Sequence, residues 1–353
     1  MDLTLDIFKN NAFSVTSLQR VAGGTPYMPQ ALGSMQLFTP RPILTEDVLL
    51  YEEDGGFALI PTTNRGGPDI QQIRRMGRMR ALKTVRLSKK DTVRAGELMG
   101  VASTALPESV RLVNAQQLTT DRTAQLKTDM EATKEFHRLG ALRGKLFDAD
   151  GVTLLVDFFA EYGIAAPAVI NFNFAAIPAN GLAVYIAQNV RDPIIDTLKE
   201  NGRLTPNARI GALVGDAFWY ALIQHVDIVK RYELQETARY TMLAANPLLT
   251  APRHESITIA GVTFMHYEGA ANGSIDVTTN EAIFFPIGAK DVFDVYWSPG
   301  ETLLDVADPG RPEYLYVQPD PNDRMPTFVD ITLRAYPLYA CTFPKALLAG
   351  LKV

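Results

Sequence analysis

The sequence predicts an α+β fold, on three observations. One long stretch, Ala115 to Leu139, has helical periodicity; the short β-prone runs on either side of it are punctuated by glycine and proline turn signals; and the chain shows neither a sequence repeat nor a regular alternation of strand and helix. A length of 353 residues with 47% hydrophobic content allows two domains with ample core.

Residues 1–47 read as an arm. A short helix is expected near Thr16 to Val21, and Gly23, Gly24, Pro26, Pro29, Pro40 and Pro42 then leave little room for regular structure. Val48 to Tyr51 and Phe57 to Ile60 flank Asp54-Gly55-Gly56, a hairpin signal. Arg65-Gly66-Gly67-Pro68 and a strongly basic stretch follow, so the whole reads as a long polar two-stranded projection that becomes rigid by lying on a partner.

The helix from Ala115 places Leu118, Leu126, Met130 and Leu139 on one side and an i,i+4 pair, Lys127 and Glu131, on the other, with Gly140 and Gly144 ending it. Asp148-Ala149-Asp150-Gly151 makes a turn before the apolar run Val152 to Phe159. Asp192-Pro193 has the form of a helix start running to Gly202, and Thr205-Pro206 and Asp216 look like further caps. A hairpin is expected around Ala260-Gly261, with Ile257 to Ile259 and Val262 to Phe264 as its strands. Ala282 to Ile287 and Tyr314 to Val317 are further strands, and Thr327 to Leu333 alternates with period two.

The net charge of −5 hides a segregation. Arg65 to Arg94 holds ten basic residues and two acids, a local +8, leaving −13 on the rest. Glu268 to Asp330 holds twelve acids against Lys290, Arg311 and Arg324, a local −9. No phenylalanine, tyrosine or tryptophan lies between Pro61 and Leu118, so the basic stretch lacks the stacking platforms of a single-strand nucleic-acid groove. Electrostatic docking on an acidic protein surface fits better, because a second copy of the chain offers one. A solvated basic surface and a nucleic-acid interface over 65–94 stand as the other readings.

Motifs for catalysis and cofactors are missing. Gly140-Ala-Leu-Arg-Gly144-Lys145-Leu146 is one residue short of a phosphate-binding loop and has leucine where a hydroxyl must reach magnesium. Asp148-x-Asp150-Gly151 lacks the third oxygen ligand and the closing glutamate of a calcium loop. His137, His225, His254 and His266 are scattered without metal spacing and read as surface or capped histidines, and Cys341 as a small buried hydrophobe. No catalytic residue, metal or cofactor is expected. Asp2 and Asp6 are unlike a signal peptide, and Pro167, Asn171, Asn173, Pro178 and Asn180 break the most apolar region, so a reducing cytosol and no membrane span are expected.

Certain residues carry a family resemblance. They are Leu37-Phe-Thr-Pro-Arg-Pro42 with the Thr45 to Leu50 strand after it, Asn64-Arg-Gly-Gly67, and above all Glu135-Phe-His-Arg-Leu-Gly-Ala-Leu-Arg-Gly-Lys145 followed by Asp148-Ala-Asp-Gly151. Gly261-Val-Thr-Phe264 before Tyr267 and the apolar run from Tyr336 to Leu351 fit the later part. In this order they resemble the lambda-type major capsid protein E family of tailed bacteriophages.

The resemblance implies the tailed-phage major capsid fold: an N-terminal arm (1–47), an extended β loop (48–102), a peripheral domain with a spine helix (103–164), an axial domain (165–305) and a C-terminal return to the peripheral domain (306–353). It implies a structural protein of the virion, assembled in the host cytoplasm into hexamers and pentamers of an icosahedral head. That head encloses double-stranded DNA without specific binding, and decoration, scaffold and portal proteins are further partners. An encapsulin-like nanocompartment is the alternative on the same fold. Docking between copies then names Arg74, Arg75, Arg78, Arg80, Lys83 and Arg86 as the cations and Asp305, Asp308 and Glu313 as the acids they meet.

Overall fold

The computed structural model describes residues 31–52, 78–94, 97, 108–234, 256–267, 269, 275–319 and 328–353. The expected helix near Thr16, the strand Phe57 to Ile60, and His254 lie outside them.

The chain enters through a short helix, α1 (Ala31–Ser34), and an edge strand, β1 (Thr39–Pro42). Two prolines in four residues suit an edge, where a missing N–H costs no ladder bond. Strand β2 (Asp47–Glu52) pairs antiparallel with β3 (Arg78–Lys83), from Asp47 opposite Lys83 to Glu52 opposite Arg78. This makes the expected two-stranded ribbon, with a different partner for β2 than the hairpin signal at Asp54-Gly55-Gly56 suggested. Val48, Leu50 and Leu82 are buried while Leu49 and Met79 are exposed, as strand alternation demands.

The basic stretch divides here. Its last part, β4 (Leu87–Arg94), is the edge of a three-stranded antiparallel sheet and so does not belong to the projection. Val93 is buried in a small hydrophobic core and Leu87 packs against it, which the five polar residues between them hid in the sequence.

Helix α2 runs from Glu108 to Arg143, 36 residues and about 54 Å, longer at both ends than Ala115 to Leu139. Upstream, Val110 and Val113 masked the pattern; Glu108 after Pro107 is in fact a helix start. Downstream, Gly140 lies within the helix, where its lack of a Cβ admits the Lys145 carbonyl, 2.7 Å from where one would stand, and Gly144 in the left-handed region (φ 76°) ends the helix. The helix joins two cores. Leu126 and Met130 pack in a small one with Val93, Leu315, Ile331 and Leu333; Leu139, Ala141 and Leu142 enter the main one.

Beyond Gly144 come β5 (Lys145–Phe147), β6 (Leu154–Asp157) and helix α3 (Phe158–Tyr162). The aspartate turn forms as expected, Asp150 accepting the N–H groups of Val152 and Thr153 at 2.9 and 2.8 Å. The apolar run Val152 to Phe159 does not stay one element. Asp157 caps α3 by accepting from Phe159 and Ala160, at 3.0 and 3.2 Å, and so switches strand to helix.

Strand β7 (Ile170–Phe172) precedes α4 (Leu182–Ile186), a π turn at Ala187–Arg191 and α5 (Asp192–Glu200), one continuous rod. Asp192-Pro193 is therefore not a helix start. The π turn offsets the backbone just where proline lacks its N–H, which lets the rod pass through. Thr205-Pro206 caps no helix either; it sits in a turn, with Thr205 Oγ1 donating to the Gly288 carbonyl at 2.6 Å.

Then follow β8 (Arg209–Val214), α6 (Asp216–Ile223), α7 (Val226–Leu234), β9 (Ser256–Ile259), β10 (Val262–His266), β11 (Glu281–Ile287) and β12 (Phe293–Trp297). The last strands are β13 (Tyr314–Pro319), β14 (Phe328–Ala335), β15 (Pro337–Cys341) and β16 (Leu348–Lys352). Ala260 and Gly261, both at positive φ (51° and 85°), give the β9–β10 hairpin its tight turn as expected.

A six-stranded mixed sheet in the order β7-β16-β11-β8-β10-β9 holds the main core. Its inner strands β8 and β10 are buried along nearly their whole length, the pattern of a sheet covered on both faces. The sheets β13-β14-β4 and β1-β12-β15 lie against α2. The segment 306–353 thus goes to two places: β13 to β15 lie with α2 and its sheets, but β16 inserts between β7 and β11 in the six-stranded sheet. No helix among the described residues is long and apolar enough to cross a membrane.

The histidines differ from expectation. His137, His225 and His266 are all buried. His266 Nε2 lies 2.7 Å from Asp216 and its ring stacks on Trp219. Cys341 is fully buried, as read from its apolar surroundings.

Candidate functional site

The charge segregation makes the ribbon and the acidic segment the site to inspect. Arg74 and Arg75 lie outside the described residues, and Arg78 takes its place in β3 opposite Glu52. Arg80, on the inward edge of the ribbon, holds its guanidinium 4.8 Å from the centroid of the Tyr162 ring. That is a stacking contact within the chain. Lys83 is exposed and pairs with no carboxylate among the described residues.

Three further cations of the stretch have partners at home. Arg86 Nε meets Glu301 at 2.6 Å, and the hydrogen bond raises the arginine's pKa. Lys89 pairs with Asp129 on α2 and Lys90 with Asp330 on β14, so β4 is held by charges on both of its neighbours.

The acids are used as well. Asp305 accepts from Thr302 and, at 2.6 Å, from the Tyr316 hydroxyl, shaping its own turn. Asp308 pairs with Arg311 at 2.5 Å. Glu313 lies 2.7 Å from Lys134 and 3.8 Å from Lys127, both on α2. None of Asp305, Asp308 and Glu313 meets a ribbon cation within one chain, and each already has a partner.

A second constellation on α2 escaped the sequence. Lys134 is buried, with its Nζ between Glu131 and Glu313, 2.7 Å from each, and 5.6 Å from the Trp297 ring centroid. Burial pushes the Glu131 carboxyl up, but Lys134 beside it more than offsets this and holds it below the ordinary range. The i,i+4 pairing of Lys127 with Glu131 is thus replaced: Lys127 turns to Glu313 and Glu131 to Lys134. One turn on, Glu135 is buried against Arg138 (3.0 Å) and accepts the backbone N–H groups of Leu32 and Gly33. The Arg138 guanidinium lies 5.3 Å from the Tyr339 ring centroid.

Only the spacing Glu131-x-x-Lys134 and Glu135-x-x-Arg138 signalled pairs in the sequence. Their distant partners, Glu313 and α1, have no local signature. Among the described residues no group of histidine, cysteine, aspartate and glutamate could hold a metal ion. What the arrangement does chemically is fix elements to one another: α1, the β12–β13 turn and β15 all dock on one stretch of α2.

The architecture is similar to that of a prophage protein from E. coli CFT073 described as a capsid protein, at TM-score 0.52 and 9% identity, with 95% of this chain and 96% of that one covered. A chain of Mycobacterium phage Patience follows at TM-score 0.47 and 9% identity, covering 99% of this chain and 89% of that one. A virus-like particle from Pyrococcus furiosus gives TM-score 0.39 and 10% identity, covering 95% and 96%. No curated protein matches the sequence. The model of the family "Phage major capsid protein E" matches residues 14–351, nearly the whole chain, so the chain belongs to the phage major capsid protein E family.

Proposed function

We propose that the chain forms the hexamers and pentamers of an icosahedral phage head that encloses double-stranded DNA. The observation that carries this reading is the half-finished ribbon. Its inner face buries Val48, Leu50 and Leu82 on the chain's own body, while its outer face leaves Leu49 and Met79 62% and 66% exposed. A ribbon of two strands is marginal alone, and a neighbouring copy can cover the second face.

In this reading residues 1–47 are the arm, 48–102 without β4 the extended loop, 103–164 with β4 and most of 306–353 the peripheral domain, and 165–305 with β16 the axial domain. Of the cations named for docking, Lys83 is free to meet a neighbour, and Arg74, Arg75 and Arg78 belong to the same strand or the segment before it. Arg80 and Arg86 are engaged within the chain, so they contribute to the ribbon's placement more than to its docking. The acidic balance of the rest of the chain repels phosphate, which favours enclosing DNA over binding it. Assembly takes place in the host cytoplasm, with decoration, scaffold and portal proteins as partners, and no catalytic step or cofactor takes part.

Electron microscopy of purified particles tests the reading. Closed shells with five- and six-fold capsomers around nuclease-protected DNA are expected. Shells that hold protein cargo and no DNA would favour a nanocompartment. Absence of shells and capsomers at every concentration would overturn the capsid reading, and a monomer with salt-sensitive DNA binding would favour the nucleic-acid reading over 65–94.

A further inference from the structure

Cations outside the basic stretch follow a pattern of their own. Many are matched within the chain: Arg41, Lys134, Arg143 and Arg311 each meet a carboxylate at 2.8 Å or less. Five that are not share one end of the molecule. Lys199, Arg209, Lys290 and Lys345 are exposed and Arg203 partly so, and none of the five meets a carboxylate among the described residues.

Separate stretches of sequence bring them together. Lys199 lies in the last turn of α5, and Gly202 at positive φ (64°) turns the chain so that the Arg203 N–H returns to the Leu198 carbonyl at 2.9 Å. The Arg203 carbonyl takes the Lys290 N–H at 3.1 Å, which docks the β11–β12 turn on that corner. The Arg203 guanidinium lies 4.7 Å from the Phe343 ring centroid and donates to the Asp291 carbonyl, so its charge is fixed in place without being cancelled. Two residues beyond Phe343, Lys345 borders a hollow that the end of α5 also lines. Arg209 opens β8 opposite Ile287, the last residue of β11.

The acids at this end are Asp196, Glu200, Asp291 and Asp294, and Arg41 spans the last two at 2.8 and 2.9 Å. Six cations, Arg41 included, against these four acids leave a net +2 on a chain whose net charge is −5. Like charges gathered without partners repel one another, so a fold that holds them together gains by meeting an anion. Their spread over several segments suits a partner with charges in a row over one with a single anionic group. The Phe343 ring, which could anchor a protein partner, is buried and covered by Arg203. A phosphodiester backbone needs no such anchor, because spaced cations hold it by displacing its counterions.

We propose that this end of the chain touches the phosphates of the enclosed DNA without reading its sequence. The acidic balance of the rest of the chain holds DNA off, so the contact turns this end towards the interior of the head without gripping the contents. The inference rests on the capsid reading, which supplies the DNA.

Fluorescence anisotropy of a labelled duplex with the purified chain, between about 50 and 200 mM salt, tests it. Lys290→Glu with Lys345→Glu should leave the melting temperature and the shell yield unchanged, since neither lysine is paired within the chain. The same variant should weaken duplex binding about tenfold or more at about 50 mM salt, and reduce the slope of log affinity against log salt by about two. Lys83→Glu should change neither quantity. Equal binding and slope in the double variant, or no binding by the native chain, overturns the contact, as does a loss in Lys83→Glu alone, which would place DNA on the ribbon. Polyglutamate that displaces the duplex at equal charge concentration would assign this end to an acidic protein and overturn the contact too. In DNA-filled particles, formaldehyde should join DNA to peptides that carry Lys199, Lys290 or Lys345. Filled particles whose DNA-bound peptides carry none of these lysines overturn the contact and leave the capsid reading intact. Absence of shells, or of DNA within them, would instead overturn that reading, and the contact with it.

Discussion

Glu135 Oε1 accepts the backbone N–H of Leu32 at 2.7 Å, across 103 residues of sequence. Its Oε2 takes the N–H of Gly33 at 3.1 Å and the Arg138 guanidinium at 3.0 Å. The first N–H groups of a helix have no acceptor within it, and those of Leu32 and Gly33 in α1 are taken by this carboxylate from α2. Burial pushes the Glu135 carboxyl up, and Arg138 and the two N–H groups offset this only in part. Glu135→Ala should therefore cost about 3 kcal/mol in urea unfolding, because it strips the Leu32 and Gly33 N–H groups of their acceptor and leaves the buried Arg138 only Glu131, at 3.7 Å. Glu135→Gln keeps an acceptor for Leu32 and should cost less. Limited proteolysis should cut the alanine variant within residues 31–42, and resistance equal to the native chain would show that the clasp is idle.

His137, two residues further along α2, is buried with its Nε2 lacking a hydrogen-bond partner. Burial lowers its pKa from 6.5 to about 4. Below pH 6.5 the unfolded chain takes up a proton that the folded chain refuses, so stability present above pH 6.5 is lost as pH falls toward 4. The loss is about 3 kcal/mol at 1.36 kcal/mol per pH unit. Glu135 acts in the opposite sense, since its raised pKa gives stability at low pH that is lost as pH rises through the raised value. His137→Leu should flatten the fall in urea-unfolding free energy between pH 6.5 and 4. An unchanged slope would assign acid lability to other groups.

Gly144 ends α2 at φ 76°, and a Cβ there would lie 2.3 Å from the Phe159 ring. Gly144→Ala therefore meets both a left-handed backbone penalty of about 1 to 2 kcal/mol and a collision in the main core. A loss of more than about 2 kcal/mol in thermal or urea unfolding is expected. Gly151, also at positive φ (69°), has open space around its Cβ position. Gly151→Ala should cost the backbone penalty alone, and equal losses at both sites would show that Phe159 moves aside.

The parts of the fold that could be read from the sequence are those whose cause is local. The Ala260-Gly261 hairpin needs positive φ at both turn residues, and the Asp148 to Gly151 turn is built by its own side chains. The alternation in β14 comes from one buried face. What could not be read depends on partners far along the chain. Strand β4 looks like part of a polar projection until β14 is placed beside it, 238 residues from Thr92 to Asp330. Asp192-Pro193 looks like a start until the π turn before it is known. The candidate contacts divide in the same way. Net charge showed that cations and acids are segregated, but not that Arg86, Asp308 and Glu313 are already paired within the chain, because each pairing depends on tertiary geometry.

Lys83 and Arg86 lie three residues apart and should behave differently for this reason. Arg86 is half-exposed and bound to Glu301, whereas Lys83 faces solvent without a partner among the described residues. Exposed ion pairs contribute about 0 to 1 kcal/mol, so Arg86→Ala should lower monomer stability by less than about 1 kcal/mol. Lys83→Glu breaks no ion pair but sets a second carboxylate opposite Asp47 across the ribbon, so it should lower monomer stability by about 0.2 to 1 kcal/mol. If the ribbon docks on an acidic neighbour, Lys83→Glu should slow shell assembly, followed by light scattering, and the defect should shrink as salt rises to about 0.5 M, where the Debye length falls to a few ångströms. A Lys83→Glu variant that assembles like the native chain at 50 mM salt would remove electrostatics from the docking of the ribbon. The exposed Leu49 and Met79 would then be left to hold it, and Leu49→Ser should supply the assembly defect that charge reversal does not.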